Sequence, residues 1–207
     1  MHYPHHESYK GLTIKIAYDE DGANPFKEWD GEPDIIGWHR HYDFNTRAED
    51  KAKTPRDFLN EAKAERHIYL PLYMYDHGGI AFSTVRAGQF ADPWDSGQYG
   101  FIFWTREKIE AGQGRGYGRR ITAKKRAFLT QQLRTSVELL NDYVQGNVYG
   151  YIVGDGGEQL DSCWGFYGDI ESCLAEARSA ADHYAAQKYE AAARALEASR
   201  PDMYAHA

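Results

Sequence analysis

The chain has 207 residues, of which 42% are hydrophobic, 27% charged and 14% aromatic, a size and composition that suit one folded domain and exclude a disordered protein. Its formal net charge of −7 argues against a chain-wide affinity for nucleic acid or for an anionic membrane. No apolar run approaches the ~20 residues that span a bilayer, so we expect a cytoplasmic protein without a membrane partner.

Two strands and a helix are predicted in the first third of the chain. Alternating apolar and polar residues predict a strand over residues 11–18, and an acidic, turn-rich loop follows over residues 19–34. Residues 35–42 are predicted to form the next strand. Thr54, followed by a proline, predicts the start of a helix that ends near Arg66.

Two hairpins follow from stretches rich in β-forming residues. Residues 67–75 and 80–86 are separated by a turn that contains Gly-Gly, and residues 147–153 and 158–163 are separated by a second such turn. Glycines supply the positive φ angles that tight hairpin turns require. We therefore expect each pair of strands to be antiparallel.

One further strand and two long helices complete the predicted elements. The strand covers residues 99–105, and helical spacing of apolar residues predicts a helix over residues 122–145 that ends at Gly146. Asp169 is placed to cap an alanine-rich helix that runs through Leu196. This order predicts an α+β fold, in which an antiparallel or mixed sheet built from hairpins is packed by two long helices in the C-terminal half.

The whole chain, residues 1–207, is predicted to form a single domain with flexible ends at residues 1–10 and 199–207. The two cysteines, Cys163 and Cys173, lie ten residues apart. They have neither the tight spacing of a redox pair nor enough partner ligands for a structural zinc site, so we expect reduced, buried thiols.

A candidate metal site lies in the second predicted strand. His39, His41 and Asp43 stand at alternate positions, which in a strand places them on one face, where three such ligands can hold zinc. His77 and His67 complete this set only if the first hairpin folds beside the strand. The alternative, which base rates favour, is that these histidines bond to their neighbours. We therefore expect no metal and no other cofactor.

Residues 92–97 combine two carboxylates, a tryptophan and a serine in the order Asp-Pro-Trp-Asp-Ser-Gly. Carboxylates this close can bind a hard metal ion or act as an acid and a base. Asp and Ser near Pro and Gly more often cap turns through their own side chains. We favour the turn interpretation and predict no catalytic residue here.

A basic segment follows the predicted strand at residues 99–105. It contains no acidic residue between its first and last cation, and its cations are Arg115, Arg119, Arg120, Lys124, Lys125 and Arg126. The last three fall in the first turn of a predicted helix, where the helix dipole disfavours positive charge. Together with Tyr117 the segment suits a phosphate backbone with base stacking, or an acidic protein face. A solvated loop is the alternative.

Four segments carry a resemblance to a known family. They read GWHRHY at residues 37–42, LPLYMYDHGG at 70–79, PWDSGQYGF at 93–101 and DSCWGFYG at 161–168. In content and order they resemble segments of a family of uncharacterised proteins from bacteriophages and other mobile elements. Small accessory proteins in that setting often inhibit host defence by binding, as anti-CRISPR and anti-restriction proteins do.

The resemblance implies a phage or mobile-element protein that inhibits a host defence complex, of the CRISPR or restriction type, by protein–protein binding in the host cytoplasm. The expected partner is a host defence protein or ribonucleoprotein complex. The predicted partner-binding residues are Arg115, Tyr117, Arg119, Arg120, Lys124, Lys125, Trp94 and Trp164. We keep two alternatives: a metal-dependent hydrolase or nuclease that uses His39, His41 and Asp43, and a protein that binds single-stranded nucleic acid through the basic loop. A homodimer through the alanine-rich helix is a further expectation.

Overall fold

A computed structural model describes residues 3–112 and 120–199. The chain divides into two compact units. We call Met1–Gly22 with Asn147–Ala207 the terminal unit and Ala23–Gly146 the central unit. Each unit packs helix against antiparallel sheet, which confirms the predicted α+β class. The prediction that residues 1–207 form one domain stays a prediction.

The strands of the described residues are β1 (His5–Tyr9), β2 (Leu12–Tyr18), β3 (Asp34–Gly37), β4 (Ile68–Asp76), β5 (Ile80–Ser83), β6 (Ser96–Trp104), β7 (Val148–Asp155) and β8 (Glu158–Tyr167). The α-helices are α1 (Pro25–Glu28), α2 (Pro55–Ala64), α3 (Arg106–Glu110), α4 (Ala123–Gln145) and α5 (Ile170–Ala198). Short 3-10 helices lie at Ala48–Ala52 and Gly88–Ala91. Within the described residues, no helix is both long and apolar enough to cross a membrane.

The terminal unit is a four-stranded antiparallel sheet, ordered β1-β2-β7-β8, with α5 packed on one face. The predicted alternation in β2 places its buried side chains on that face, where they contact the small buried residues of α5. Asp169 caps α5 as predicted, because its Oδ1 accepts the amide of Ser172 at 2.9 Å. Small residues on α5 let the helix approach the sheet closely.

Residues 5–9, within the end predicted to be flexible, form a paired strand. Residues 200–207 of the other predicted flexible end lie outside the described residues, and the flexibility of the two ends stays a prediction. β1 pairs with β2 from His5 opposite Ile16 to Tyr9 opposite Leu12. Glu7 also accepts two hydrogen bonds of 2.8 Å from the guanidinium of Arg178 on α5. Sheet pairing and this bidentate ion pair, which lie far apart in sequence, order the segment.

The two cysteines differ in their environments. Cys173 is buried against the sheet as predicted, and burial raises the pKa of its thiol to about 12. Cys163 is exposed on β8, so the prediction of two buried thiols is wrong for this residue. The reason is that β8 is an edge strand, with β7 as its partner in the described sheet.

The α5 helix continues well beyond its packed part. Tyr189 and Leu196, in its last third, are exposed large hydrophobic residues. The homodimer expected through this helix stays a prediction.

The central unit is a second four-stranded antiparallel sheet, ordered β3-β6-β4-β5. Successive residues of a strand point to opposite faces, and both faces are covered. Ile35 belongs to the buried cluster that includes Leu133 of α4, whereas Ile36 belongs to the cluster that includes Phe58 of α2. The two predicted hairpins lie in separate sheets: β4 and β5 in the central unit, β7 and β8 in the terminal unit. The long helix α4 covers the first sheet and α5 covers the second.

Local signals place the helices of the central unit as predicted. Thr54 and Asp57 form a reciprocal capping box at the start of α2. Thr122 caps α4, and Gly146 ends it in the left-handed conformation with a φ of 72°. The acidic segment at residues 19–34 is not wholly a loop, since Asn24 caps the short helix α1. Asn24 followed by Pro25 starts α1 in the same way as Thr54 followed by Pro55 starts α2.

The second predicted strand is shorter than expected. β3 ends at Gly37, and the following residues fold back along it. The amide of Thr46 donates to the carbonyl oxygen of Ile35 at 3.1 Å, and Asn45 Oδ1 accepts the amide of Gly37 at 2.6 Å. These bonds satisfy the free edge of β3. His39 therefore lies in a loop, and the prediction of a strand over residues 35–42 is wrong beyond Gly37.

Candidate functional site

A surface cleft of about 250 Å³ lies in the central unit, where the ends of β4 and β6 meet the loop after β3. We call it the Trp94 cleft. The lining residues that matter for its chemistry are His39, Asp76, Trp94, Asp95 and Tyr99. Trp94 is 91% exposed. A large aromatic side chain so exposed at the edge of a cleft is a common feature of binding surfaces.

The turn before β6 presents Trp94. Asp92 Oδ1 accepts the amides of Trp94 at 2.8 Å and Asp95 at 3.0 Å. These two backbone hydrogen bonds lower the pKa of the Asp92 carboxyl. The Ser96 hydroxyl donates to the Asp92 carbonyl oxygen. The interpretation of residues 92–97 as a capped turn is confirmed, and the Trp94 side chain is left on the surface.

Two carboxylates line the cleft beside this turn. The amide of Asp76 donates to the carbonyl oxygen of Asp95 at 2.8 Å, which ties the end of β4 to the turn. Tyr42 donates its hydroxyl to Asp76 Oδ1 at 3.4 Å, and His77 Nδ1 lies 3.2 Å from Asp95 Oδ2. Both carboxylates are held by neighbours that are distant in sequence.

Tyr99 joins the cleft to the loop after β3. Its hydroxyl accepts the amide of Phe44 at 2.7 Å and donates to the carbonyl oxygen of Tyr42 at 3.4 Å. Burial raises the pKa of Tyr99 to about 12, so the phenol keeps its proton at neutral pH. It therefore supports the loop without adding charge to the cleft.

His39 adds an aromatic surface rather than a charge. Its ring stacks on Tyr42 with 5.1 Å between ring centroids and an interplanar angle of 17°. Burial, followed by the nearby charge of His41, lowers the pKa of His39. The imidazole is therefore neutral at pH 7, and the acidic character of Asp76 and Asp95 prevails. Such a cleft favours a cationic group.

The residues of the candidate metal site do not converge. His39 and His41 have ring centroids 5.8 Å apart, and the amide of His41 donates to His39 Nδ1 at 3.3 Å. Asp43 forms an ion pair of 2.8 Å with Lys51. His77 lies beside Asp95 instead. The predicted set requires these residues to share one strand face, and the loop after Gly37 removes that face.

The basic segment is only partly within the described residues. Arg115, Tyr117 and Arg119 lie outside them. Arg120 and Lys124 are exposed, and Lys124 and Lys125 belong to the first turn of α4, which contains no acidic residue. The predicted concentration of cations at a helix start is thus confirmed for the described part of the segment.

A second acidic and aromatic cleft lies in the terminal unit. We call it the Trp164 cleft. It measures about 370 Å³ and is lined by Tyr18, Asp19, Glu20, Asp21 and Trp164. The Trp164 ring lies over Gly150, its partner on β7, where a β-carbon would fall 2.1 Å from the ring. Both predicted tryptophans therefore line clefts that carry carboxylates.

Sequence reasoning missed Asp76 of the Trp94 cleft and Tyr42, which binds it. They are 34 positions apart and meet through a hydrogen bond. Asp76 stands at the start of a predicted turn, where a capping role is the usual expectation. Comparisons with models of protein families, with curated proteins and with solved structures found no match to this chain.

Proposed function

We propose that the protein acts by binding a protein partner rather than by catalysis, and that the Trp94 cleft receives a basic side chain of that partner. The proposed partner is a host defence protein or ribonucleoprotein complex of the CRISPR or restriction type. Its proposed site of action is the host cytoplasm. The observation that carries the binding proposal is the 91% exposed Trp94 beside the carboxylates of Asp76 and Asp95.

The chemistry of the cleft supports a cationic ligand. An arginine or lysine over an exposed tryptophan ring gains about 0.5–1 kcal/mol, and more when the pair is desolvated. Nearby carboxylates accept charge-assisted hydrogen bonds, which a guanidinium can donate in bidentate form. Trp94 and Asp95 stand next to each other in the turn, so one basic side chain can contact both.

The resemblance to mobile-element proteins supports the choice of partner. Three of the resembling segments, residues 37–42, 70–79 and 93–101, contribute side chains to the Trp94 cleft. The fourth, residues 161–168, carries Trp164 of the other cleft.

Capture from host extract tests the proposal, with the captured proteins identified by mass spectrometry. Wild type should capture a defence component from the extract. The captured amount should fall at least about tenfold in Trp94→Ala and in Asp95→Asn, which is the size of effect expected for a central interface residue. Tyr189→Ala is the matched control, because Tyr189 is exposed but lies on α5. Retention of the same proteins by wild type and Trp94→Ala would refute a role for the cleft.

A second proposal is that the basic segment binds single-stranded nucleic acid. It is supported by the exposed Arg120 and Lys124 at the start of α4, a helix whose first turn contains no acidic residue. Filter binding across a salt series tests it, because each phosphate contact contributes to the salt dependence of affinity. An affinity that does not change with salt would exclude backbone binding by this segment.

A further inference from the structure

The end of α2 and the start of β4 bring two glutamates and a histidine together in the central unit. Glu61 lies one helical turn before Glu65, the C-cap residue that follows α2. Arg66 then adopts a φ of 60°, and this left-handed residue turns the chain into β4. His67 follows and donates its amide to the carbonyl oxygen of Ala62 at 2.9 Å. Its ring stacks on Phe103, with centroids 5.8 Å apart.

The His67 side chain is 1% exposed, and its Nε2 is a buried nitrogen with no hydrogen-bond partner among the described residues. Nε2 lies 3.7 Å from Glu61 Oε1 and 3.6 Å from Glu65 Oε2. Both distances exceed the range of a protein hydrogen bond. A buried polar atom directed at two carboxylates, yet bonded to neither, calls for a ligand between them.

We propose that Glu61, Glu65 and His67 form a binding site for a divalent transition-metal ion of the zinc type. Their ligand atoms all lie within 4.8 Å of one another. Zinc takes imidazole nitrogen and carboxylate oxygen at about 2.0–2.2 Å, so two ligands of a tetrahedral ion stand about 3.3–3.6 Å apart. The distances from His67 Nε2 to the two carboxylates need to shorten only slightly.

The surroundings leave room and negative charge for a cation. Glu65 is 60% exposed, so the fourth coordination position opens towards solvent. Glu65 also lines an adjoining cleft of about 400 Å³, in which four carboxylates outnumber two basic side chains. The charged residues of this cleft are Asp34, Arg47, Glu49, Glu65, Glu107 and Lys108. Lys53 binds Oε2 of Glu61, which leaves Oε1 towards His67.

Metal binding requires a change of tautomer at His67. The amide of Arg106 donates to His67 Nδ1 at 3.3 Å, so the ring proton of the metal-free protein resides on Nε2. When zinc takes the Nε2 lone pair, that proton moves to Nδ1 and the long contact with Arg106 is given up. No net proton is released by this exchange.

The test is zinc binding by the full chain, measured by equilibrium dialysis and by calorimetry. We expect wild type to bind one more zinc ion per chain than Glu65→Gln, or to bind it at least tenfold more tightly. The control is Glu107→Gln, which removes the same charge from an exposed residue of the same cleft and should change the affinity less than twofold. Any zinc that binds the histidines near the amino terminus binds wild type and both variants equally, so it does not affect the difference between them.

A second measurement identifies the ligand nitrogen. Zinc should shift the Nε2 resonance of His67 in a nitrogen-15 spectrum of wild type and leave it in place in Glu65→Gln. Equal losses of affinity in Glu65→Gln and Glu107→Gln would show general charge attraction and overturn the site. A wild type that binds zinc with neither a higher stoichiometry nor a higher affinity than Glu65→Gln would overturn it as well. Neither result bears on the Trp94 cleft, whose test is the capture of a partner.

Discussion

The ring of Tyr99 lies against the α-carbon of Gly37, so that a β-carbon at residue 37 would fall 2.0 Å from Tyr99 Cε1. This contact seats the phenol beneath the loop after β3, where its hydroxyl accepts the amide of Phe44. Any larger residue at position 37 must displace the ring or the strand. The Trp94 cleft therefore depends on a glycine that does not itself bind a ligand.

Gly37→Ala should destabilise the protein by about 1–3 kcal/mol, the cost of overpacking a filled interior. Urea unfolding followed by circular dichroism measures the change. Gly97→Ala is the control, because a β-carbon there meets no atom within 4 Å and its backbone is not left-handed. Equal stability of the two variants would contradict the close approach.

Tyr99 should make the fold sensitive to alkali. Its pKa is raised by burial from 10.0 to about 12, so between these values the unfolded chain loses a proton that the folded chain keeps. The stabilising contribution is complete below pH 10 and is lost as pH rises through 12, by about 2–3 kcal/mol in total. Tyr99→Phe should show a flatter decline of stability above pH 10 than Tyr189→Phe, in which the buried phenol is retained. Parallel declines would contradict the assignment.

The two thiols should react at different rates with Ellman's reagent. Cys163 is exposed and should react in the folded protein, whereas Cys173 is buried with a pKa near 12 and should react only after unfolding. Cys163→Ser should abolish the fast phase, and Cys173→Ser should leave it unchanged. Rapid reaction of both thiols in native buffer would be inconsistent with a buried Cys173.

Lys124 should oppose local stability, because it is an exposed cation in the first turn of α4. Lys124→Glu should raise the stability by about 0.3–1 kcal/mol at low salt. Lys124→Gln should give a smaller gain, since it removes the cation without adding a favourable anion. If the segment binds nucleic acid, the same charge reversal should weaken that binding. A loss of stability in Lys124→Glu would show that the lysine has a structural role.

Helix ends and turns could be predicted because their signals are local. Thr54 and Asp57 form the capping box of α2 from positions three apart, and Gly146 ends α4 through its own backbone angle. The hairpin turn between β4 and β5 likewise forms at the predicted Gly-Gly pair. Such features depend on the few residues that form them, so a single sequence contains the necessary information.

The features of the candidate sites also fall into two groups, those that local sequence specifies and those that depend on the tertiary structure. The sequence by itself determined the α+β class, the helix caps, the hairpin turns and the two tryptophans as surface candidates, because each depends on short-range chemistry. Only the tertiary structure decided that Asp76 meets Tyr42, that the loop after Gly37 separates the candidate metal ligands, and that His67 faces two glutamates. These pairs arise where the chain reverses direction or strands pair over long separations, and no local spacing specifies which reversals bring side chains together.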